Sequence, residues 1–182
     1  MSLQQFDRPG AYQTDRQWSD QFIPEIRRVV GPHLLEPSTL DCDRSEATDL
    51  IVLTAKDMRI AARVRRHGFA VQYPYEFTIR SSRPSGVKTE LKKITEGWGD
   101  WLFYGHQAEP NSRVIHPWWI IDLHAWRDQM IWSKRSAGSP KEMKNRDGVG
   151  FHVFDIRNFD PSILIAHSPG TSIVFESWRA AS

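Results

Sequence analysis

Two carboxylates and a run of guanidiniums are the residues whose types and spacing could do chemistry in this chain. Asp49 stands at the head of the apolar run Leu50-Ile51-Val52-Leu53, and Glu76 opens a second strand-like run, Glu76-Phe77-Thr78-Ile79-Arg80. Arg63, Arg65 and Arg66 lie between them, and the Lys-rich stretch Lys88 to Lys93 follows. Carboxylates at strand ends can hold a hard cation such as Mg²⁺, which keeps several of its waters. Clustered Arg and Lys can hold phosphate, Arg bidentately and with little sequence information. The combination points to chemistry on a phosphodiester backbone. In-line hydrolysis there needs a cation on the scissile phosphate and an activated water. Each residue also has a structural reading. Asp49 could be a strand-edge or turn residue, and Glu76 could form a cross-strand pair with Arg63 or Arg80. The three arginines could be a solvated sheet face.

The charge distribution favours an anionic partner. Residues 56–93 carry ten Lys/Arg against three Asp/Glu, whereas the chain as a whole is only +2. A basic middle between acidic flanks is a local patch, of the kind nucleic acid recognises. At 182 residues the chain fits one domain, spanning 1–182, and buries a sizeable core without disulfides. The single cysteine, Cys42, forbids an intrachain disulfide and fits a reducing cytoplasm. No apolar run approaches the roughly 20 residues of a membrane helix, so no membrane partner is expected. Polar residues follow Met1, which argues against a signal peptide.

The elements that must position these groups follow from periodicity. Residues 1–14 read as a loose arm. Trp18, Phe22, Ile26 and Val29 recur at helical spacing and predict a helix over 15–30, with Asp15 as its cap. Pro24 predicts a kink there, or a later start. Leu50 to Thr54 predicts a buried strand. Met58 to Arg65 alternates, with Ile60, Ala62 and Val64 on one face and Arg59, Ala61, Arg63 and Arg65 on the other. These two runs are expected to form an antiparallel hairpin with a basic outer face. Tyr75 to Ser81 predicts a third strand, with Phe77 and Ile79 inward. Thr89 to Glu96 predicts a helix closed by Gly97. Further strands are expected at 101–104, 118–123, 151–156 and 163–166, a helix at 124–132 and a mobile loop at 133–148. Trp18, Phe22, Ile26, Leu50, Val52, Ile60, Val64, Phe77, Ile79, Leu91 and Ile94 are expected in one core.

The order helix, hairpin, carboxylate-bearing strand, helix, strand over about residues 15–105 resembles the PD-(D/E)XK nuclease superfamily. That family places an Asp at the head of one strand and a Glu-x-Lys on the next. Asp49-Leu-Ile-Val matches the first element. Glu76-Phe-Thr matches the second in part, with Thr78 where the family has Lys. In a competing register, Ile60-Ala-Ala-Arg63-Val-Arg65 has Arg where the family has Glu. The resemblance implies an α/β (α+β) fold: a mixed β-sheet flanked by helices, a restriction-endonuclease-like core with a C-terminal strand-helix-strand extension over 106–182. It implies a nuclease using Mg²⁺ or Mn²⁺ on DNA or RNA. Asp49 and Glu76 would be its metal ligands, and Lys88, Lys92 or Arg80 would replace the missing lysine. Arg80 could not serve as a base, because it stays protonated. Arg63, Arg65, Arg66, Arg80 and Lys92 would contact the nucleic acid. The texture of residues 76–81, 89–94 and 97–101 is similar to uncharacterised phage and prophage proteins. Two alternatives stand beside the nuclease. One is an inactive descendant that binds nucleic acid through the same arginines. The other is a phage accessory protein that binds a host protein.

Other chemistries lack their motifs. The histidines at 33, 67, 106, 116, 124, 152 and 167 show no helical i, i+4 pair, which argues against zinc. His106 and His116 could meet across a hairpin, most simply as a packing coincidence. No Gly-x-Ser-x-Gly elbow, Walker A loop or dinucleotide glycine fingerprint occurs. Asp100, between Trp98 and Trp101, reads as a turn-orienting residue. Trp118, Trp119 and Trp126 read as core.

Overall fold

The computed structural model describes residues 17–37, 50–52, 58–133, 140–145, 147–171 and 173. Helical residues 17–20 break at a turn before α1 (Ile23–Val30), which carries Pro24 in its first turn. Proline is tolerated there because the first-turn N–H has no intrahelical partner. Strands β1 (Leu35–Pro37) and β2 (Leu50–Val52) pair antiparallel. Then come β3 (Ile60–Arg65), a short helix α2 (Phe69–Gln72), β4 (Glu76–Ser82), helix α3 (Glu90–Thr95) and β5 (Trp101–Gln107). The chain continues through β6 (Ile115–Asp122), helix α4 (Leu123–Ser133), β7 (Lys141–Lys144), β8 (Gly150–Asp155) and β9 (Leu164–His167). No helix among the described residues is long and apolar enough to cross a membrane.

The fold is α/β, with a four-stranded mixed sheet in the order β3-β5-β6-β9 and a three-stranded antiparallel sheet in the order β4-β8-β7. β3 runs parallel to β5 with Ile60 opposite Trp101, while β5, β6 and β9 pair antiparallel. The expected hairpin is not formed among the described residues: β2 pairs with β1, and β3 with β5. Nor does β4 join the sheet of β3. It pairs instead with β8, Glu76 opposite Asp155. The residues beyond 105 are therefore interleaved with the earlier ones in both sheets. The stretch expected as a mobile loop contains β7, an edge strand of the smaller sheet.

The expected single core is two, divided by the larger sheet. Phe22, Ile26, Val29 and Val30 pack with Ile60, Val64, Phe103, Trp118 and Ile120 on one face. On the other, Leu102, Tyr104, Trp119 and Ile121 pack with Phe77, Ile79 and Phe154 of the smaller sheet, and with Leu91, Ile94 and Trp126. The strand period of two explains the split, because successive side chains of β5 and β6 point to opposite faces. Trp18 joins the first core, and Leu50 and Val52 belong to a strand whose side chains are outside the description.

Parallel register places Ala61, Arg63 and Arg65 beside Leu102, Tyr104 and His106, on the face toward the smaller sheet. The arginines are thus not on an outer, solvated face. They continue the second core to the edge of the sheet, where apolar packing gives way to charge.

Candidate nucleic-acid interface

At that edge lies a groove of about 1170 Å³, walled by all of β3 and by Arg80 of β4, Glu90 and Lys93 of α3, the residues Arg83, Val87 and Lys88, and the segments 18–20 and 98–99. Arg59, Arg63, Arg65, Arg66, Arg80, Arg83, Lys88 and Lys93 line it, against the carboxylates Asp20 and Glu90. Trp18, Phe69 and Trp98 also line it.

Local chemistry builds this wall. Arg63 donates from Nη1 to the Thr78 carbonyl and to Thr78 Oγ1, each at 3.0 Å, and from Nη2 to Glu90 Oε2 at 2.7 Å. The Arg80 backbone N–H also donates to Glu90 Oε2, at 3.1 Å. Glu90 and Arg63 therefore tie together the two sheets and α3. Thr78, where the resemblance would have a lysine, is buried, and its hydroxyl lies 3.3 Å from the Tyr104 hydroxyl. It takes part in packing and in receiving Arg63. Asp100 accepts from the Arg59 backbone N–H at 2.8 Å and meets His124 Nε2 at 3.1 Å, which makes it the turn-orienting group expected. Its carboxyl pKa is held below the usual value, first by the Arg59 N–H bond.

α3 closes with Gly97 at φ +92°, a left-handed conformation that favours glycine. The Trp98 N–H then donates to the Lys93 carbonyl at 3.0 Å, which sets Trp98 at the groove rim. Glu90, Lys93 and Ile94 share a helix face by the i, i+3, i+4 rule, and all three line the groove. Lys92 is turned to a neighbouring depression with Thr89 and Glu96. The expected contact Lys92 is therefore not in the groove, and Lys93 takes that place, because adjacent helical residues diverge by about 100°.

The charges are unevenly matched. Arg63 is paired with Glu90, Arg59 with Asp100 at 3.7 Å, and Lys88 with Glu96. Among the described residues no carboxylate forms an ion pair with Arg65, Arg66, Arg80, Arg83 or Lys93. The Arg80 guanidinium has its pKa lowered, first by burial and then by Arg63 and Arg83, with Glu90 and Asp147 opposing. Three guanidiniums are thus crowded where an anion would relieve their repulsion.

The expected metal ligands are placed less favourably. Asp49 lies outside the described residues. Glu76 is not among the residues lining the groove; it sits opposite Asp155 in the β4–β8 ladder. Its carboxyl pKa is raised, first by burial and then by Asp155, while Lys141 and Arg65 pull it down. Neither expected ion pair of Glu76 is seen among the described residues: Arg63 goes to Glu90, and no carboxylate pairs with Arg80, while the neighbouring Asp155 is held by Arg157 at 2.5 Å. No group of three metal-ligating residues converges among the described residues. His106 and His116 do not meet as a site, since His106 is buried and His116 exposed. Arg59 was legible as a groove residue from its place in the β3 alternation. Nothing in a linear reading identified Arg83, or the aromatic rims Phe69 and Trp98. Comparison with protein-family models, with curated proteins and with solved structures returns no match.

Proposed function

We propose that the protein binds the phosphate backbone of a nucleic acid in the β3 groove. The observation that carries this reading is the surplus of cations: Arg65, Arg66, Arg80, Arg83 and Lys93 line one groove without a carboxylate partner among the described residues. Like charges repel when crowded, and such an arrangement persists most readily where an anion is bound for part of its working life. Arg63 also braces the groove wall, since three hydrogen bonds to Thr78 and Glu90 engage part of its five-donor guanidinium.

The test is anisotropy of labelled oligonucleotides at low salt, on the whole chain and on the double variant Arg83→Ala, Lys93→Ala. Neither side chain carries an ion pair within the described residues, so folding should survive and affinity should fall at least tenfold. Unchanged affinity in the variant, or no binding by the parent protein, would sink the proposal.

Metal-dependent hydrolysis of the bound strand is the second reading. Glu76 and Asp155 stand opposite one another in the β4–β8 ladder and favour it: burial first and Asp155 second raise the Glu76 pKa, and a divalent cation exchanged for Arg157 would offset the carboxylate repulsion. The same oligonucleotides incubated with Mg²⁺ or Mn²⁺ report it. Cleavage that persists in Glu76→Gln would remove Glu76 from the chemistry.

A further inference from the structure

We infer that the groove takes a single strand rather than a duplex, with unstacked bases lying on its aromatic rims. This deepens the reading just proposed and rests on it. The observation behind it is separate: each aromatic ring of the groove is exposed or half-buried, and each is stacked with an arginine. Arg59 lies over Trp98 at 5.1 Å from the ring centroid, Arg65 over Phe69 at 4.2 Å and Arg66 over Trp18 at 4.6 Å. Trp98 is 56% exposed and Phe69 36% exposed, whereas Trp119 and Trp126 are fully buried.

A duplex offers a groove of this kind only phosphates and sugars, because its base faces are stacked on one another. Exposed rings would gain nothing from it. A single strand offers both phosphates and base faces, and base–aromatic stacking tolerates any sequence because every base has a π face. The arginine over each ring restricts the ring's orientation and supplies the adjacent positive charge. Cation and aromatic are thereby paired three times in one groove, and a single strand offers a phosphate and a base face at every nucleotide. A protein partner without clustered carboxylates would also accept aromatic rims, but it would leave the surplus of cations without a counterpart.

The experiment compares three ligands of equal length on the full chain: a single-stranded oligonucleotide, the same backbone made abasic, and a blunt duplex. The variants are Trp98→Ala, Trp98→Phe and Phe69→Ala, with circular dichroism as the folding control. The expected result is that the single strand binds about tenfold tighter than the abasic backbone. Trp98→Ala and Phe69→Ala should bring the two strands to within about twofold of each other, whatever the level of abasic binding, and Trp98→Phe should keep most of the margin. Equal binding of normal and abasic strands, or tighter binding of the duplex, would overturn the inference while sparing the backbone-binding reading. Failure of all three ligands to bind would overturn both.

Discussion

Arg63 and His106 show how a side chain's role changes once its neighbours are known. Arg63 belongs to the expected basic face, and His106 lies beside Arg65 of that face in the parallel ladder. Arg63 reads in isolation as a phosphate clamp, and in the fold three of its hydrogen bonds go to Thr78 and Glu90. His106 is buried between Tyr104 and Trp119, with ring centroids 5.6 Å away in each case, and neither ring nitrogen has a hydrogen-bond partner. Burial, and secondarily Arg65, pushes its pKa down to about 4. The unfolded chain therefore binds more protons than the folded one between that value and the ordinary histidine pKa of about 6.5. Stability contributed by neutral His106 is fully present above pH ~6.5 and is lost as pH falls toward 4, by roughly 2–4 kcal/mol in total. Glu76 acts in the opposite sense: its raised pKa makes stability fall as pH rises through the carboxylate range. Chemical denaturation at several pH values should show the loss of stability on acidification, and His106→Phe should flatten it. A slope between pH 6.5 and 4 that is the same in His106→Phe would mean another group carries it.

At the scale of elements, strand and helix periods were readable because they need only local spacing. The division of β3 into two faces is as expected, although Ala62 is exposed and the face of Ala61, Arg63 and Arg65 meets the second core; Phe77 and Ile79 of β4 are inward as expected. Pro24 marks the start of α1, and Gly97 closes α3. Partners were less readable, since pairing is decided by distant chain. Gly105 illustrates this. Nothing local demands a glycine inside β5, a strand buried along its whole length. Its reason lies across the β5–β6 ladder, beside an irregularity between Gly105 and Gln107. A Cβ at 105 would collide with Ile115 Cγ2 and reach the Phe103 ring at 3.2 Å. Ile115 is buried and its Cγ2 is attached directly to Cβ, so it has little room to yield. Gly105→Ala should therefore destabilise by about 1–3 kcal/mol, measured by urea denaturation. A substitution within about 0.5 kcal/mol of neutral would show that the two strands relax apart at this point.

For the whole molecule, the question is how two sheets come to share a charged edge. β3 and β4 are end strands of different sheets in the described structure. Arg63 bridges them, and the groove opens where the second core runs out of apolar residues. If a single strand engages about four of the groove's cations, log affinity should fall with log salt at a slope of about −3. Losing Arg83 or Lys93 singly should reduce that slope by about 0.7 each, whatever the sequence bound. A slope near zero would show that phosphate contacts contribute little. The amino-acid sequence by itself determined the class of fold, the inward face of β4 and a basic middle between residues 56 and 93. Those properties depend on spacing of two or three to four residues and on composition, both of which are local. Only the tertiary structure decided that β3 pairs with β5, that Lys93 rather than Lys92 faces the groove, and that Glu76 lies beside Asp155. Sheet pairing is set by which apolar faces cover one another, and contacts between residues far apart in the chain leave no periodic trace in either segment.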